Sequence, residues 1–174
     1  MLKKLFKTFF ALALLQTSLL SNEINIDKIL KNAHNSNKEV MLYLHRVGCS
    51  YCNSMQEFTL EDDDVAEYLE NNFQVIQINI SHKDTYIYKG EKSGGICLAK
   101  RIGYDFYPSA LFLDDGGDIK YASVGYNDDS EFLVILHYIY SHSNSSMKLD
   151  TYKEKIGFQK SQDNDIIDPR KHEN

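Results

Sequence analysis

Two cysteines separated by two residues, Cys49 and Cys52, are the side chains in this sequence best suited to chemistry. They follow an apolar stretch, 40–44, and precede an amphipathic one, so the pattern predicts a strand that leads into a helix beginning at the first cysteine. Residues at i and i+3 share a helix face, and the two thiols can therefore close a small disulfide. The unpaired amides of the first helical turn favour a thiolate and should lower the pKa of Cys49. The spacing thus predicts a reactive, reversible dithiol.

Zinc binding and haem attachment also use paired cysteines. A zinc site needs two further ligands, and Cys97 and His45 are the only conceivable pair. Haem attachment needs a histidine directly after the second cysteine, where this sequence has Asn53. We therefore expect no metal, and no cofactor other than a redox-active disulfide between Cys49 and Cys52.

The third cysteine and the histidines are interpreted mainly as structural. We expect Cys97 to be a small buried residue, with a regulatory or intermolecular thiol as the alternative. His45 could stabilise a thiolate if its ring pointed at the dithiol, but strand alternation favours a partly buried, hydrogen-bonded ring. The other histidines have no informative spacing and are expected to be structural or solvated: His34, His82, His137, His142 and His172.

The net charge limits the partners of the protein, and its first residues favour export. The formal net charge of the 174 residues is −6, which argues against nucleic acid or an anionic membrane as the main partner. A basic start and an apolar run to residue 20 predict a cleavable signal peptide over residues 1–21, cut near Ser18 or Ser21. An uncleaved N-terminal anchor is the alternative. We expect a periplasmic or otherwise exported protein that is not inserted in the membrane after cleavage, in a compartment where cysteine pairs oxidise.

The remaining pattern predicts an α/β fold, with a mixed central sheet flanked by helices. Predicted strands cover 39–45, 73–80, 109–113 and 119–124, the last two forming a hairpin. Predicted helices cover 22–37, 96–102 and 128–141, and a further helix follows the dithiol. That helix is interrupted at 59–64, where aspartates can cap a second helical part. Residues 81–95 are expected to form a polar loop with Tyr86 and Tyr88 near the surface. One domain is predicted over 22–146, and a C-terminal extension over 147–174, with a helix at 149–158 and a disordered tail.

The sequence resembles the thioredoxin superfamily, and more narrowly its exported SoxW-type and periplasmic disulfide reductase-like members. Three segments carry the resemblance, which covers about 24–142: Gly-Cys-Ser-Tyr-Cys at 48–52, Arg-Ile-Gly-Tyr-Asp-Phe-Tyr-Pro at 101–108, and Val-Gly-Tyr at 124–126. The resemblance implies a thioredoxin-like fold. It also implies that Cys49 is the exposed attacking thiol, that Cys52 is the buried resolving thiol, and that Pro108 lies against the disulfide after a cis bond.

The resemblance implies a substrate site and shows two departures from the family pattern. Ser50, Tyr51, Tyr107 and Pro108 would bind the substrate. Many relatives have a buried carboxylate six residues before the first cysteine, where it assists deprotonation of the resolving thiol; this sequence has Tyr43 there. The residue before the proline is commonly Thr or Val, and the bulk of Tyr107 should shape the substrate groove.

These observations predict an exported thiol–disulfide oxidoreductase. It would exchange disulfides with disulfide-bearing or dithiol protein substrates, as a reductase or isomerase kept reduced by a thiol electron donor in the membrane. The aromatic Tyr51 between the cysteines resembles the exported isomerase and reductase members of the family, and this resemblance implies that direction. The main alternative is a non-catalytic thioredoxin-fold binding module whose disulfide is structural.

Overall fold

The computed structural model of the protein describes residues 22–157, and the predicted signal peptide and disordered tail lie outside this range. The described elements in chain order are β1 (Glu23–Asn25), α1 (Ile26–Asn35), β2 (Glu39–His45), α2 (Ser50–Met55, continued by a π-helical turn at Gln56–Leu60), α3 (Asp63–Asn72), β3 (Phe73–Asn79), β4 (Thr85–Tyr88), β5 (Glu91–Gly94), α4 (Gly95–Ile102), β6 (Ser109–Leu113), β7 (Ile119–Val124), α5 (Asp129–Tyr140), a 3₁₀ turn (Ser143–Ser145) and α6 (149–157).

A four-stranded mixed sheet forms the centre of the fold, in the order β3-β2-β6-β7. The β2 and β3 strands are parallel, whereas β6 is antiparallel to both of its neighbours. The apolar run in β2 is buried on both faces, as its near-continuous hydrophobicity predicts. Leu42 and Leu44 face a core that includes α1 and α4, and Met41 and Tyr43 face one that includes α3 and α5. The predicted α/β, thioredoxin-like architecture is confirmed.

Helix boundaries follow from local capping chemistry. Asp62 accepts hydrogen bonds from the backbone amides of Asp64 and Val65, so the acidic run caps α3 as predicted. Gly103 ends α4 with a φ of +81°, the left-handed conformation that glycine adopts at low cost. At the C-terminal end, the hydroxyl of Tyr138 donates to the carbonyl of Met147, and the ring of Tyr152 from α6 lies 5.3 Å from the Tyr138 ring. These contacts fix α6 against α5.

A second sheet, of order β1-β4-β5, corrects the predicted loop at 81–95. The short β1 pairs in parallel with β4, which is also why the first helix begins at Ile26 and not at residue 22. Tyr86 and Tyr88 were expected near the surface, but they are 1% and 5% exposed and pack in the core shared with α1. The hydroxyl of Tyr88 donates to the carbonyl of Gly117 in the β6–β7 turn.

The turn of the β4–β5 hairpin is bound to the first turn of α1. The Asp27 carboxylate accepts hydrogen bonds from the backbone amides of Lys89 and Gly90, at 2.7 and 2.8 Å. Both turn residues have positive φ, of 52° and 76°. This is the turn geometry that tightly connected hairpins favour. Within residues 22–157, no helix combines the length and the hydrophobicity required to cross a bilayer.

Candidate active site

The two cysteines lie where β2 passes into α2. Gly48 precedes them with a φ of +73°, and an added Cβ there would meet nothing within 4 Å. The chain therefore needs glycine at this turn for its backbone conformation and not for space. Cys49 is the N-cap of α2, and its sulfur accepts a hydrogen bond from the backbone amide of Cys52 at 3.1 Å. A first-turn amide is thus directed at the sulfur, as the sequence predicts.

Cys49 and Cys52 are joined by a disulfide, with their Cα atoms 5.2 Å apart. Both residues are largely covered, with exposures of 8% for Cys49 and 3% for Cys52. The first cysteine is the more accessible of the two, but in the disulfide it is buried and not the exposed residue that the resemblance implied. The pair can cycle between a disulfide and a dithiol without a large movement of the helix, since i and i+3 stay neighbours in both states.

The segment before β6 lies directly against the disulfide. The peptide bond between Tyr107 and Pro108 is cis, and the Tyr107 carbonyl oxygen is 3.7 Å from the sulfur of Cys49. The hydroxyl of Ser109 donates to the Phe106 carbonyl, and the amide of Gly125 donates to the Pro108 carbonyl at 2.8 Å. These two bonds fix the segment between β6 and the chain that follows β7. The structure therefore brings the predicted residues Tyr107 and Pro108 to the cysteine pair.

Large apolar side chains are exposed around the disulfide. Val47, Tyr51 and Phe106 have exposures of 67%, 65% and 71%. Val47 and Tyr51 lie two residues before and after Cys49 in the chain, and Phe106 precedes Tyr107, whose carbonyl contacts Cys49. Val124 and Tyr126 are also exposed, next to the Gly125 that bonds to Pro108. Tyr51 is one of the predicted substrate-site residues, whereas Val47 and Phe106 were not predicted. Their apolar type within turns beside the two motifs was the available signal.

Tyr43 occupies the position where many thioredoxin-like proteins have a buried carboxylate. Its side chain is 1% exposed, and its hydroxyl donates to the carbonyl of Cys52 at 3.2 Å. Burial raises the pKa of Tyr43 to about 12. The phenol therefore stays protonated at neutral pH and positions the helix without accepting a proton.

His45 lies two residues further along β2, on the same face as Tyr43. The two rings stack, with centroids 5.1 Å apart and planes inclined by 14°. The His45 ring is half-buried, and its pKa is lowered first by that burial and then by the neighbouring His82. The ring is partly buried as expected, but its contact is an aromatic stack and not the expected hydrogen bond.

Cys97 corrects one expectation, because it is exposed on α4 and not buried. It occupies the third residue of the helix, and the burial falls instead on Leu98 and Ala99. Among residues 22–157, no three His, Cys, Asp or Glu side chains lie where they could hold one metal ion. His34 and His142 are solvated and lie 3.4 and 3.5 Å from Asp115 and Glu39.

A mixed sheet between helices, with a Cys-x-x-Cys disulfide at the first turn of the helix after β2 and a cis-proline beside it, defines the thioredoxin-fold class. The sequence profile of the thioredoxin-like domain matches residues 26–140. The chain belongs to this thioredoxin-like domain family. No curated protein sequence matches the chain significantly.

Solved structures show the same fold. A thioredoxin-fold protein from Helicobacter pylori is 24% identical, with a TM-score of 0.56 over 70% of this chain and 86% of its own. A thioredoxin from Thermus thermophilus is 26% identical, with a TM-score of 0.52 over 68% of this chain and 85% of its own. The oxidoreductase DsbH is 12% identical, with a TM-score of 0.55 over 72% and 91%. The family and the disulfide together support thiol–disulfide oxidoreductase chemistry in general.

Proposed function

We propose that the protein is an exported thiol–disulfide oxidoreductase that acts on protein substrates through Cys49 and Cys52. The observation that carries the proposal is the hydrogen bond from the Cys52 amide to the Cys49 sulfur at the start of α2. An amide at a helix N-terminus stabilises a thiolate more than a thiol, and the thiolate is the nucleophile in disulfide exchange.

In the proposed reaction, the Cys49 thiolate attacks a substrate disulfide and forms a mixed disulfide. Cys52 then attacks the Cys49 sulfur, closes the disulfide seen in the structure, and releases the reduced substrate. Oxidation of a substrate dithiol follows the same steps in reverse. Because Cys49 is the more exposed of the two residues, it is the one that reaches a substrate.

The substrate surface would consist of the polar and apolar groups around the sulfur. Ser50 and Tyr51 lie in the first turn of α2, and Tyr107 and Pro108 lie opposite them. We add Val47 and Phe106, because exposed apolar groups beside the sulfur can contact an unfolded or extended polypeptide. A protein or peptide disulfide fits this surface better than a small polar one.

The reductase or isomerase direction, and a thiol electron donor in the membrane, are also part of this proposal. The reduction potentials of thioredoxin and DsbA differ by about 150 mV, or on the order of 7 kcal/mol for two electrons, so direction depends on the environment of the sulfurs. The Ser50-Tyr51 pair between the cysteines is an aromatic variant typical of the reducing and isomerising members. A redox titration of the purified domain would test this, and a potential near that of DsbA would contradict it.

A trapping experiment tests the proposed function. In Cys52→Ser, the mixed disulfide on Cys49 has no resolving thiol, and we expect covalent adducts with exported proteins that disappear on reduction. The background should carry Cys97→Ser, because that exposed thiol would form adducts of its own. The matched control, Cys49→Ser in the same background, should give none. If the two variants gave the same adducts, or neither gave any, the catalytic assignment would fail.

A structural disulfide in a binding module is the second candidate, favoured by the low exposure of both cysteines. In that case the disulfide would have a reduction potential below about −300 mV and would not exchange. Alkylation in graded redox buffers separates the two functions, since an exchanging pair titrates at a higher potential.

A further inference from the structure

The release step of the proposed reaction requires a proton acceptor near Cys52. The thiol must lose its proton before it attacks, and with an exposure of 3% the residue has little access to bulk water. Burial of a thiol among apolar groups opposes its ionisation. The Tyr43 hydroxyl bonds to the carbonyl of Cys52, but with a pKa of about 12 it stays protonated and accepts no proton.

His45 is a titratable group on the same face of β2 as Tyr43, two residues nearer to Cys49 along the chain. Its ring stacks on Tyr43, whose hydroxyl reaches the Cys52 backbone, so three groups in contact lead from α2 to the imidazole. The β2–β6 register ends where Leu44 pairs with Ser109, so His45 and Pro108 are the next residues of the two chains beyond that pair. The imidazole thus contacts the tyrosine that bonds to α2, at the end of β2 next to the segment that contacts Cys49.

We propose that His45 accepts the proton of the Cys52 thiol, through one intervening water molecule, when Cys52 resolves the mixed disulfide. This inference rests on the proposed function and specifies how one of its steps proceeds. His45 would thus have the role that a buried carboxylate has in many relatives, which carry that carboxylate at the position of Tyr43.

The proton and the sulfur atoms balance within the step. The Cys52 S–H bond breaks, its proton passes to the water, and the water protonates the neutral imidazole. The Cys52 thiolate forms a new S–S bond with Cys49, while the bond between Cys49 and the substrate sulfur breaks. The substrate leaves as a thiolate and takes up a proton from the imidazolium or from solvent. The substrate disulfide is the only oxidant required.

The surroundings of His45 keep its ring neutral at pH 7. Burial and the nearby His82 both lower its pKa. His82 lies beyond β3, where it contacts Asn79 at 3.3 Å and Asp84 at 3.8 Å. Asn79 pairs with His45 in the sheet and carries no charge. On the β6 side, burial raises the pKa of Tyr107, so its phenol is protonated at neutral pH. The charge of Asp105 raises this pKa further, and the charge of Arg46 lowers it. Tyr43 is likewise protonated.

The resolving step can be measured alone with the reduced Cys97→Ser protein and a chromogenic aromatic disulfide. Attack by Cys49 releases one coloured thiolate at a rate that depends on reagent concentration. Attack by Cys52 then releases a second at a rate that does not. With His45 present, we expect the second rate to fall with acid and to inflect below pH 6.5, since the protonated ring accepts no proton.

In His45→Phe, which keeps a stacking ring, the second rate should be about tenfold lower at pH 7 and should lose the inflection. His45→Gln should behave in the same way, so the result does not depend on one variant folding. His82→Gln is the matched control. It should keep the rate at pH 8 and move the inflection upward, because it removes the second imidazole that lowers the His45 pKa.

The outcomes separate this inference from the proposed function. A normal first phase with an unchanged second rate and inflection in both His45 variants would overturn the role of His45 and leave the exchange function intact. Absence of the first phase in the Cys97→Ser protein would instead refute the proposed function. An inflection that is lost in His82→Gln but kept in both His45 variants would show that His82 accepts the proton, and would also reject the inference.

Discussion

The two ends of the β2 strand differ in what they expose. At its C-terminal end, Val47, Tyr51 and Phe106 leave apolar surface in solvent around a closed disulfide. At its N-terminal end, about 20 Å away at 3.3 Å per residue, Glu39 is bonded to Lys120, and the exposed His142 ring lies 3.5 Å from the same carboxylate. Both ends lie on the same sheet, so the difference is set by the side chains and not by the fold.

Aromatic side chains that stay in solvent contribute no folding stability, whereas charged surface groups keep an acidic protein soluble. The exposed aromatic side chains near the Cys49 sulfur are therefore best explained by contact with another molecule. At the N-terminal end of β2, by contrast, the interacting side chains are mostly covered and can contribute to folding stability. Glu39 and Lys120 have side chains only 13% and 18% exposed, so that pair links β2 to β7 across the β6 strand that lies between them. We expect variants at the first end to change exchange and those at the second to change stability.

The largest expected difference comes from Phe106→Ser. Loss of an aromatic contact beside the sulfur should lower kcat/KM for a protein disulfide about tenfold, equivalent to about 1.4 kcal/mol. Reduction of a small aromatic disulfide, which needs little surface, should change less than twofold. Insulin reduction and single-turnover kinetics with a small disulfide would measure the two.

Phe58→Ser is the matched control, because Phe58 is similarly exposed but lies about 13 Å along the helix from Cys49 at 1.5 Å per residue. It should leave both substrates unaffected. Equal losses for Phe106→Ser and Phe58→Ser would mean that exposed apolar groups in general, and not those beside the disulfide, contact substrates.

A smaller effect, at the opposite end, is expected for Lys120→Met. It leaves the mostly covered Glu39 carboxylate with one partner fewer, and the free energy of unfolding should fall by about 1 kcal/mol. Exchange kinetics should not change. Chemical denaturation would give the stability. Lys153→Met, which breaks an exposed pair with Glu131, should cost less than about 0.5 kcal/mol. A loss of exchange in Lys120→Met would erase the distinction between the two ends.

The four-stranded sheet could be predicted because its strands have uninterrupted local signals. The predicted bounds 39–45, 109–113 and 119–124 coincide with β2, β6 and β7. Most residues of these strands are apolar, β-branched or aromatic, and glycine or aspartate turns follow them. In the three-stranded sheet only β4, which reads Thr-Tyr-Ile-Tyr, has such a signal. The β5 strand reads Glu-Lys-Ser-Gly, and β1 has three residues, so pairing with distant partners determines both.

In the site, the cysteine pair and Pro108 were predictable, since their meaning depends on short spacing and on a motif. The exposure of Cys97 was not, because a helix of eight residues gives too few positions to fix which face is buried. The stack of His45 on Tyr43 follows from strand alternation, but its orientation depends on the position of α2 above the sheet. No local sequence pattern specifies the position of α2 relative to the sheet.

The carboxylate of Asp27, bonded to both amides of the β4–β5 turn, has a consequence for how the molecule opens. A hairpin of four-residue strands is marginal alone, but here its turn is tied to α1 and Tyr88 is bonded to the β6–β7 turn. We therefore expect the small sheet to unfold in one cooperative unit with the large one. In native-state hydrogen exchange, the amides of β4 should open at the same free energy as those of β2, and separate, earlier opening would show that the two sheets are independent.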